Sequence, residues 1–125
     1  ELIAVLKACQ APYPISKPSA ELAVQAFSEA ALDSTKQHIA EALTQRLWMI
    51  EKLSTLANVL RVYQTDANFI LVQFRQPEKT YQALIEQGIL VRNMAQYPAI
   101  NDCLRISIGT PAENQALLRI LEMSL

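Results

Sequence analysis

Two arginines on neighbouring apolar segments are the residues of this chain whose type and spacing could do chemistry. Arg105 lies in the alternating segment 103–110 (CLRISIGT), and Arg92 closes the apolar segment 89–92 (ILVR). Alternation is typical of a strand, so we expect the two guanidinium groups on adjacent strands. Such groups hold a carboxylate or a phosphate through paired hydrogen bonds. The pattern predicts an anion-binding site, although each arginine alone is compatible with a solvated surface position.

Two further side chains are candidates for binding the same ligand. Asn68 precedes an apolar strand, where its amide could either cap its own backbone or bond a polar group at the end of the sheet. Tyr13 lies between Pro12 and Pro14, so its hydroxyl could be held rigidly for a ligand, although a packing role is the alternative. We therefore predict four substrate-binding residues, which are Arg105, Arg92, Asn68 and Tyr13.

The composition argues against several other kinds of site. Gly88 and Gly109 are the only glycines, which excludes a glycine-rich phosphate loop. A single histidine, His38, and two cysteines without ligand spacing argue against a metal site. Ser107 has no histidine near it in the sequence, so a serine nucleophile is not expected. We predict no catalytic residue and no metal in this chain.

The charge balance and the apolar pattern bound the partners and the location. The chain has 125 residues, with 11 basic and 12 acidic side chains and a net charge of −1. This balance does not favour nucleic acid or an anionic membrane as a partner. Neither a leader nor a membrane-spanning run is visible, and the two cysteines are expected to be free thiols in a reducing compartment. We expect a cytoplasmic protein.

The order of elements predicts the fold class. Apolar spacing and proline positions predict three helices over 1–9, 18–27 and 33–56, then strands over 59–63 and 68–74, a helix over 77–87 ended by Gly88, strands over 89–92 and 103–108, and a last helix over 111–123 capped by Thr110. This order indicates an α+β two-layer sandwich with a mainly antiparallel sheet, helices on one face, and a long preceding helix. Because the chain starts inside a helical pattern, we expect it to be a piece of a longer protein.

Several motifs occur together in an order typical of one family. They are the segments 11–16 (APYPIS), 66–71 (DANFIL), 88–92 (GILVR) and 103–110 (CLRISIGT), followed by a helix that begins PAENQ. In these segments the chain resembles the C-terminal part of the histidinol-phosphate aminotransferases, which are fold-type I enzymes dependent on pyridoxal phosphate. The resemblance covers essentially the whole chain. The paired arginines are its most specific part, because the 103–110 motif is shared by many aminotransferases.

The resemblance implies roles for the domains and for the arginines. Residues 1–30 would be the tail of the large domain and a linker, and residues 31–125 would be the small domain, which closes over the cofactor. Arg105 would hold the α-carboxylate of glutamate or 2-oxoglutarate and the phosphate of histidinol phosphate, and Arg92 would assist with the phosphate. The partners would be these small molecules, and the full-length protein would be a homodimer.

The resemblance also implies which functions this chain lacks. The family needs a lysine that binds the cofactor covalently, and none of the five lysines here lies in the family's context for it. We expect pyridoxal phosphate in the full-length enzyme, none bound to this chain, and no transamination by this chain alone.

Two alternative functions stay open at this point. The same fold could serve an aromatic amino-acid aminotransferase or a threonine-phosphate decarboxylase, because part of the selectivity would lie elsewhere in the protein. A free-standing regulatory domain that binds a small anion is the other possibility.

Overall fold

The computed structural model describes residues 1–10 and 15–123. Tyr13, one of the four predicted binding residues, lies outside the described residues. The described chain divides into two compact units, residues 1–38 and residues 39–125, and we describe each by itself. The division falls inside a continuous helix, whereas the domain boundary predicted from the sequence lies between residues 30 and 31.

The first unit contains two short helices, α1 (Leu2–Cys9) and α2 (Lys17–Ala26). Ser16 caps α2, since its hydroxyl accepts a hydrogen bond from the backbone N–H of Ser19 at 3.4 Å. Pro18 lies in the first turn, where a missing N–H costs nothing. These two features set the start of the helix at Lys17, one residue before the predicted start at residue 18. Neither helix has a buried residue, so apolar side chains such as Leu2 and Val24 are exposed.

The third helix, α3 (Glu29–Ser54), begins four residues earlier than the periodicity predicts. The reason is a cap at Ser28, whose hydroxyl accepts from the N–H of Ala31 at 3.4 Å. A small polar cap carries no apolar periodicity, so the sequence pattern misses the first turn. In the second unit, Met49 and Leu53 of this helix are fully buried.

The second unit is built on a four-stranded sheet. The strands are β1 (Val59–Val62), β2 (Phe69–Phe74), β3 (Arg92–Asn93) and β4 (Cys103–Ser107), and their order in the sheet is β1-β2-β4-β3. Every neighbouring pair is antiparallel. Two further α-helices, α4 (Pro77–Glu86) and α5 (Pro111–Met123), and a short 3₁₀ helix, Pro98–Ile100, also belong to this unit. The predicted α+β class with an antiparallel sheet is confirmed.

The two faces of the sheet differ in their side chains. Successive residues of a strand project to opposite faces. One face carries Ile70, Val72 and Ile106, which are buried together with residues of α3, α4 and α5 in a single core. The other face is the one that these three helices leave uncovered within the second unit. It is here called the helix-free face, and it carries the residues Phe69, Leu71, Gln73, Cys103, Arg105, Ser107 and Arg92. The helices of the second unit lie on one face of its sheet, as predicted.

The end of α4 confirms one prediction and corrects another. Gly88 has φ +77°, its N–H donates to the carbonyl of Ile85 at 2.8 Å, and the next N–H, of Ile89, donates to Leu84 at 2.9 Å. This is the glycine termination predicted at Gly88. The strand predicted over 89–92 is wrong in extent, because only Arg92 and Asn93 pair with β4. The N–H of Ile89 closes the helix instead of entering the sheet.

Candidate anion-binding site

Arg105 lies in the middle of β4, between two partner strands. It is directly opposite Leu71 of β2 on one side and Arg92 of β3 on the other. Directly opposed residues of an antiparallel pair project to the same face with their Cβ atoms about 5 Å apart. Arg92 and Arg105 therefore share the helix-free face. The structure brings the two arginines together, as their spacing predicts, and their role in binding remains a prediction.

Within residues 1–10 and 15–123, no acidic side chain forms an ion pair with Arg105. The guanidinium is half-buried and lies over the ring of Phe69, with Cζ 5.0 Å from the ring centroid. Its Nε is buried and has no hydrogen-bond partner within the described part of the chain. The three ion pairs among residues 1–10 and 15–123 all involve lysines. A buried donor without a partner is unfavourable, so a ligand that neutralises this group would be stabilised.

Arg92 adds a second positive charge beside the first. Its side chain is exposed, and among the described residues it has neither an ion pair nor a hydrogen bond. Like charges directly opposite each other on a sheet are destabilising. An anion between the two guanidinium groups would turn this repulsion into attraction to a shared ligand. The arrangement is chemically suited to a carboxylate or a phosphate.

Asn68 is not brought beside the two arginines. It precedes β2, its carbonyl accepts from the N–H of Ile108 at 2.9 Å, and strand alternation places its side chain on the side of the sheet opposite Arg105. With Arg46 of α3 and other residues it lines a shallow groove of about 160 Å³. Its amide has no partner in the described chain. Binding by Asn68 and by Tyr13 stays a prediction.

A polar cluster that the sequence pattern missed lies at the start of β4. The Nε2 amide of Gln73 donates to Oδ2 of Asp102 at 2.6 Å, and the Cys103 thiol donates to Oδ1 at 3.5 Å. The hydrogen bond from Gln73 lowers the pKa of Asp102. Burial raises the pKa of Cys103 to about 11, so this thiol is protonated at neutral pH and is not a nucleophile. The cluster anchors the strand that carries Arg105.

A cavity of about 350 Å³ lies between the segment before β3 and the start of α5. Its wall is mainly apolar, with Leu90 and Leu117 among the lining residues. Two polar side chains in the wall bond to their neighbours: Asn114 donates to the carbonyl of Gly109 at 2.9 Å, and Glu113 accepts from Thr110 at 2.8 Å. Neither arginine of the anion site lines this cavity.

The described residues do not fit a pyridoxal phosphate site. All five lysines are exposed, and the ion pairs that Lys17, Lys36 and Lys52 form are with carboxylates on the same helix. The described ranges also contain no group of three or more histidine, cysteine, aspartate or glutamate side chains that could hold a metal ion. Each described helix is too short or too polar to cross a lipid bilayer.

The family of class I and II aminotransferases matches residues 1–121 of this chain. The chain belongs to this family. The aminotransferase chain is 44% identical over 122 residues to the histidinol-phosphate aminotransferase of Xanthomonas euvesicatoria pv. vesicatoria (strain 85-10), an alignment that covers 98% of the chain and 34% of the relative. The enzyme of the same name from Xylella fastidiosa (strain Temecula1 / ATCC 700964) is 43% identical over 96% of the chain. The chain spans about a third of the length of these relatives.

Solved structures share the fold of this aminotransferase chain. The histidinol-phosphate aminotransferase from Clostridium acetobutylicum superposes with a TM-score of 0.81 at 24% identity, over 96% of this chain and 36% of that one. A putative aminotransferase from Burkholderia pseudomallei superposes with a TM-score of 0.76 at 34% identity, over 99% and 37%. The first likeness is one of fold alone, and the second also has substantial sequence identity. Both agree with the family assignment.

Proposed function

We propose that this chain is the part of a histidinol-phosphate aminotransferase that binds the anionic end of its substrates. The complete protein would convert histidinol phosphate and 2-oxoglutarate to imidazole-acetol phosphate and glutamate, a step of histidine biosynthesis. The observation that carries the proposal is the pair of uncompensated guanidinium groups, Arg92 and Arg105, directly opposite each other on the helix-free face. The relatives at 43–44% identity, which bear this name, support it.

The proposed binding step follows from the chemistry of the two guanidinium groups. Arg105 would accept the α-carboxylate of glutamate or 2-oxoglutarate, and would bind the phosphate of histidinol phosphate when that substrate takes its place. Arg92 would add hydrogen bonds to the phosphate, which has more acceptor oxygens than a carboxylate. Fixing the anionic end limits the orientations of the rest of the substrate, which lowers the entropic part of the barrier.

Pyridoxal phosphate is the cofactor that we propose for the complete protein, where it would supply the electron sink for amino transfer. The contribution that we propose for this chain is to hold the substrate. We further propose that residues 1–30 belong to the large domain and a linker, that residues 31–125 form the small domain, and that the complete protein is a cytoplasmic homodimer. Nothing found favours the alternative substrates or a free-standing regulatory domain.

The test is the substitution Arg105→Ala in the complete protein. We expect kcat/KM to fall for glutamate and for histidinol phosphate, with a loss on the order of 2–5 kcal/mol in each, because a half-buried charge-assisted contact is removed. Steady-state kinetics with both substrates provides the measurement. Arg119→Ala is the matched control, since this arginine is exposed on α5, away from the sheet residues that form the site. An unchanged KM for glutamate in Arg105→Ala would refute the assignment.

A further inference from the structure

Phe69 is the described side chain in aromatic contact with the guanidinium of Arg105. It lies on β2 opposite Ser107, diagonal to Arg105 across the strand pair, and its ring centroid is 5.0 Å from Cζ of the arginine. The distance lies within the range in which a cation is attracted to the face of an aromatic ring. Because the ring covers one side of the guanidinium, a ligand of this arginine has to approach one of its N–H edges.

Hydrogen bonds do not fix the orientation of this guanidinium. The Nε of Arg105 has no partner in the described residues, and none of the ion pairs formed there includes this side chain. A long side chain without such contacts samples several rotamers, which would have to be restricted when an anion binds. The ring of Phe69 is therefore the contact that can hold the guanidinium in place before the ligand arrives.

The position of Phe69 does not suggest a role in the core. It is half-buried on the helix-free face and is absent from the cluster of core side chains and from the partly buried side chains packed against them. Phe74, on the same strand but on the opposite face, is 1% exposed and belongs to that core. The two phenylalanines thus occupy different environments on one strand.

We propose that Phe69 is a positioning residue, which orients Arg105 for the anionic group of both substrates by stacking under its guanidinium. This proposal rests on the proposed function, since it assumes that Arg105 binds substrate. It predicts that loss of the aromatic face weakens substrate binding through the arginine and by no other route. Ring size and hydrophobicity alone would not produce that dependence.

The experiment is a double-mutant cycle in the complete protein, read as KM and kcat for glutamate and histidinol phosphate. Phe69→Leu should raise both KM values about 3- to 30-fold, the range expected for a partly buried cation–π contact. Phe69→Tyr, which keeps the aromatic face, should stay within about twofold of the unchanged protein. In an Arg105→Gln background, Phe69→Leu should add less than about twofold, because its partner is gone.

Arg61→Gln is the matched control. Tyr63 also carries an arginine over its ring, with Cζ of Arg61 4.5 Å from the centroid, but Arg61 is not part of the proposed site. We expect the KM values of this control variant to stay within about twofold of those of the unchanged protein. If Phe69→Leu does not fold, Phe69→Met takes its place, since it has a flexible apolar side chain of similar size without an aromatic face.

The outcomes separate the two proposals. Equal effects of Phe69→Leu in both backgrounds, or no effect when Arg105 is intact, would overturn the positioning role while leaving the proposed function in place. An Arg105→Gln protein with unchanged KM for both substrates would overturn the proposed function, and the role of Phe69 would fall with it. Both proposals are supported if Phe69→Leu raises the KM values when Arg105 is intact, if this rise disappears in the Arg105→Gln background, and if Phe69→Tyr shows no rise.

Discussion

At the scale of single residues, the main feature is the difference between two arginines in one row of the sheet. Arg105 is half-buried, with its Nε enclosed and unpaired in the described residues, whereas Arg92 is exposed at the edge strand. The enclosed guanidinium interacts with any ligand in a less screened environment than the exposed one. We therefore expect Arg105 to contribute to the binding free energy of every anionic group at this site. We expect Arg92 to contribute most to the binding of phosphate, which is larger and more highly charged than a carboxylate.

Substitution of Arg92 should separate the two substrates. In the complete protein, Arg92→Gln is expected to lower kcat/KM for histidinol phosphate about 10- to 100-fold, the range for loss of charge-assisted hydrogen bonds, with a smaller effect on glutamate. Steady-state kinetics with each of the two substrates measures how much more kcat/KM falls for histidinol phosphate than for glutamate. Arg75→Gln serves as a control, because Arg75 is an exposed arginine just after β2 whose Nε donates to the carbonyl of Ala57. Equal losses for both substrates would contradict the division of roles between Arg92 and Arg105.

At the scale of elements, two helix ends hold the framework around β4. Thr110 and Glu113 form a reciprocal cap at the start of α5: the carboxylate accepts from the N–H and the hydroxyl of Thr110 at 2.8 Å each, and the hydroxyl accepts from the N–H of Glu113 at 3.4 Å. The predicted cap at Thr110 is confirmed. Since α5 follows β4 after a short connection, this cap fixes where the strand ends.

The cap should make stability depend on pH. The hydrogen bonds from the backbone and the hydroxyl of Thr110 lower the pKa of Glu113. A lowered folded-state pKa stabilises the fold above the unfolded value of about 4.3, and this stabilisation is lost as the pH falls through the folded value. Urea unfolding should thus show Glu113→Gln to be less stable than the unchanged chain at pH 7, with a difference that shrinks below about pH 4. Glu122→Gln, on the same helix, is the control. If the loss of stability in Glu113→Gln were the same at every pH, the ionised cap could not be the cause of that loss.

The end of α4 gives a second prediction at this scale. Gly88 has φ +77°, and a Cβ at this position would have no atom within 4 Å. The cost of Gly88→Ala is therefore backbone strain alone, about 1 kcal/mol of unfolding free energy. Gly88→Asn should cost less, because asparagine adopts this conformation more readily. Urea unfolding of the two variants tests whether Gly88→Ala is the less stable of the two. An alanine variant as stable as the unchanged chain would show that the left-handed backbone at residue 88 is not strained by a Cβ.

The elements also show what the sequence can and cannot predict. Three features of the fold could be predicted from local patterns. Alternating apolar residues predict the strands of the antiparallel sheet, and a glycine after an apolar helical pattern predicts the end of α4. A loop that returns one strand beside the other predicts that Arg92 lies near Arg105. The unpaired segment 89–91 could not be predicted in this way, because an apolar run reads as a strand whether or not its backbone has a partner. The contact of Phe69 with Arg105 could not be predicted either, because it depends on the register between two strands that are distant in sequence.

At the scale of the whole chain, the two units differ in what stabilises them. Among the described residues, the buried apolar side chains, from Met49 to Leu121, lie in the unit of residues 39–125, whereas α1 and α2 bury none. Isolated helices of 8 and 10 residues are marginal in water. Stability of the chain should therefore come from the second unit.

A truncated chain tests this division. We expect residues 28–125, which keep the cap of α3 and the whole core, to unfold cooperatively in urea, with a near-ultraviolet signal from Trp48, which packs against the core. A peptide of residues 1–27 should show little helical circular dichroism. A truncated chain without a cooperative transition would show instead that the first unit is needed for folding.

The opposed arginines of β3 and β4 have a consequence for the folding equilibrium itself. If the pair binds an anion only in the folded state, each dissolved phosphate or dicarboxylate acts as a ligand of the native sheet. Its contribution grows as RT ln(1 + [L]/Kd), about 2.7 kcal/mol when the anion is present at 100 times its dissociation constant. The midpoint of unfolding would then rise with the concentration of the anion in the medium, and in a cell the folded fraction of this domain would rise with the concentration of the anions that it binds.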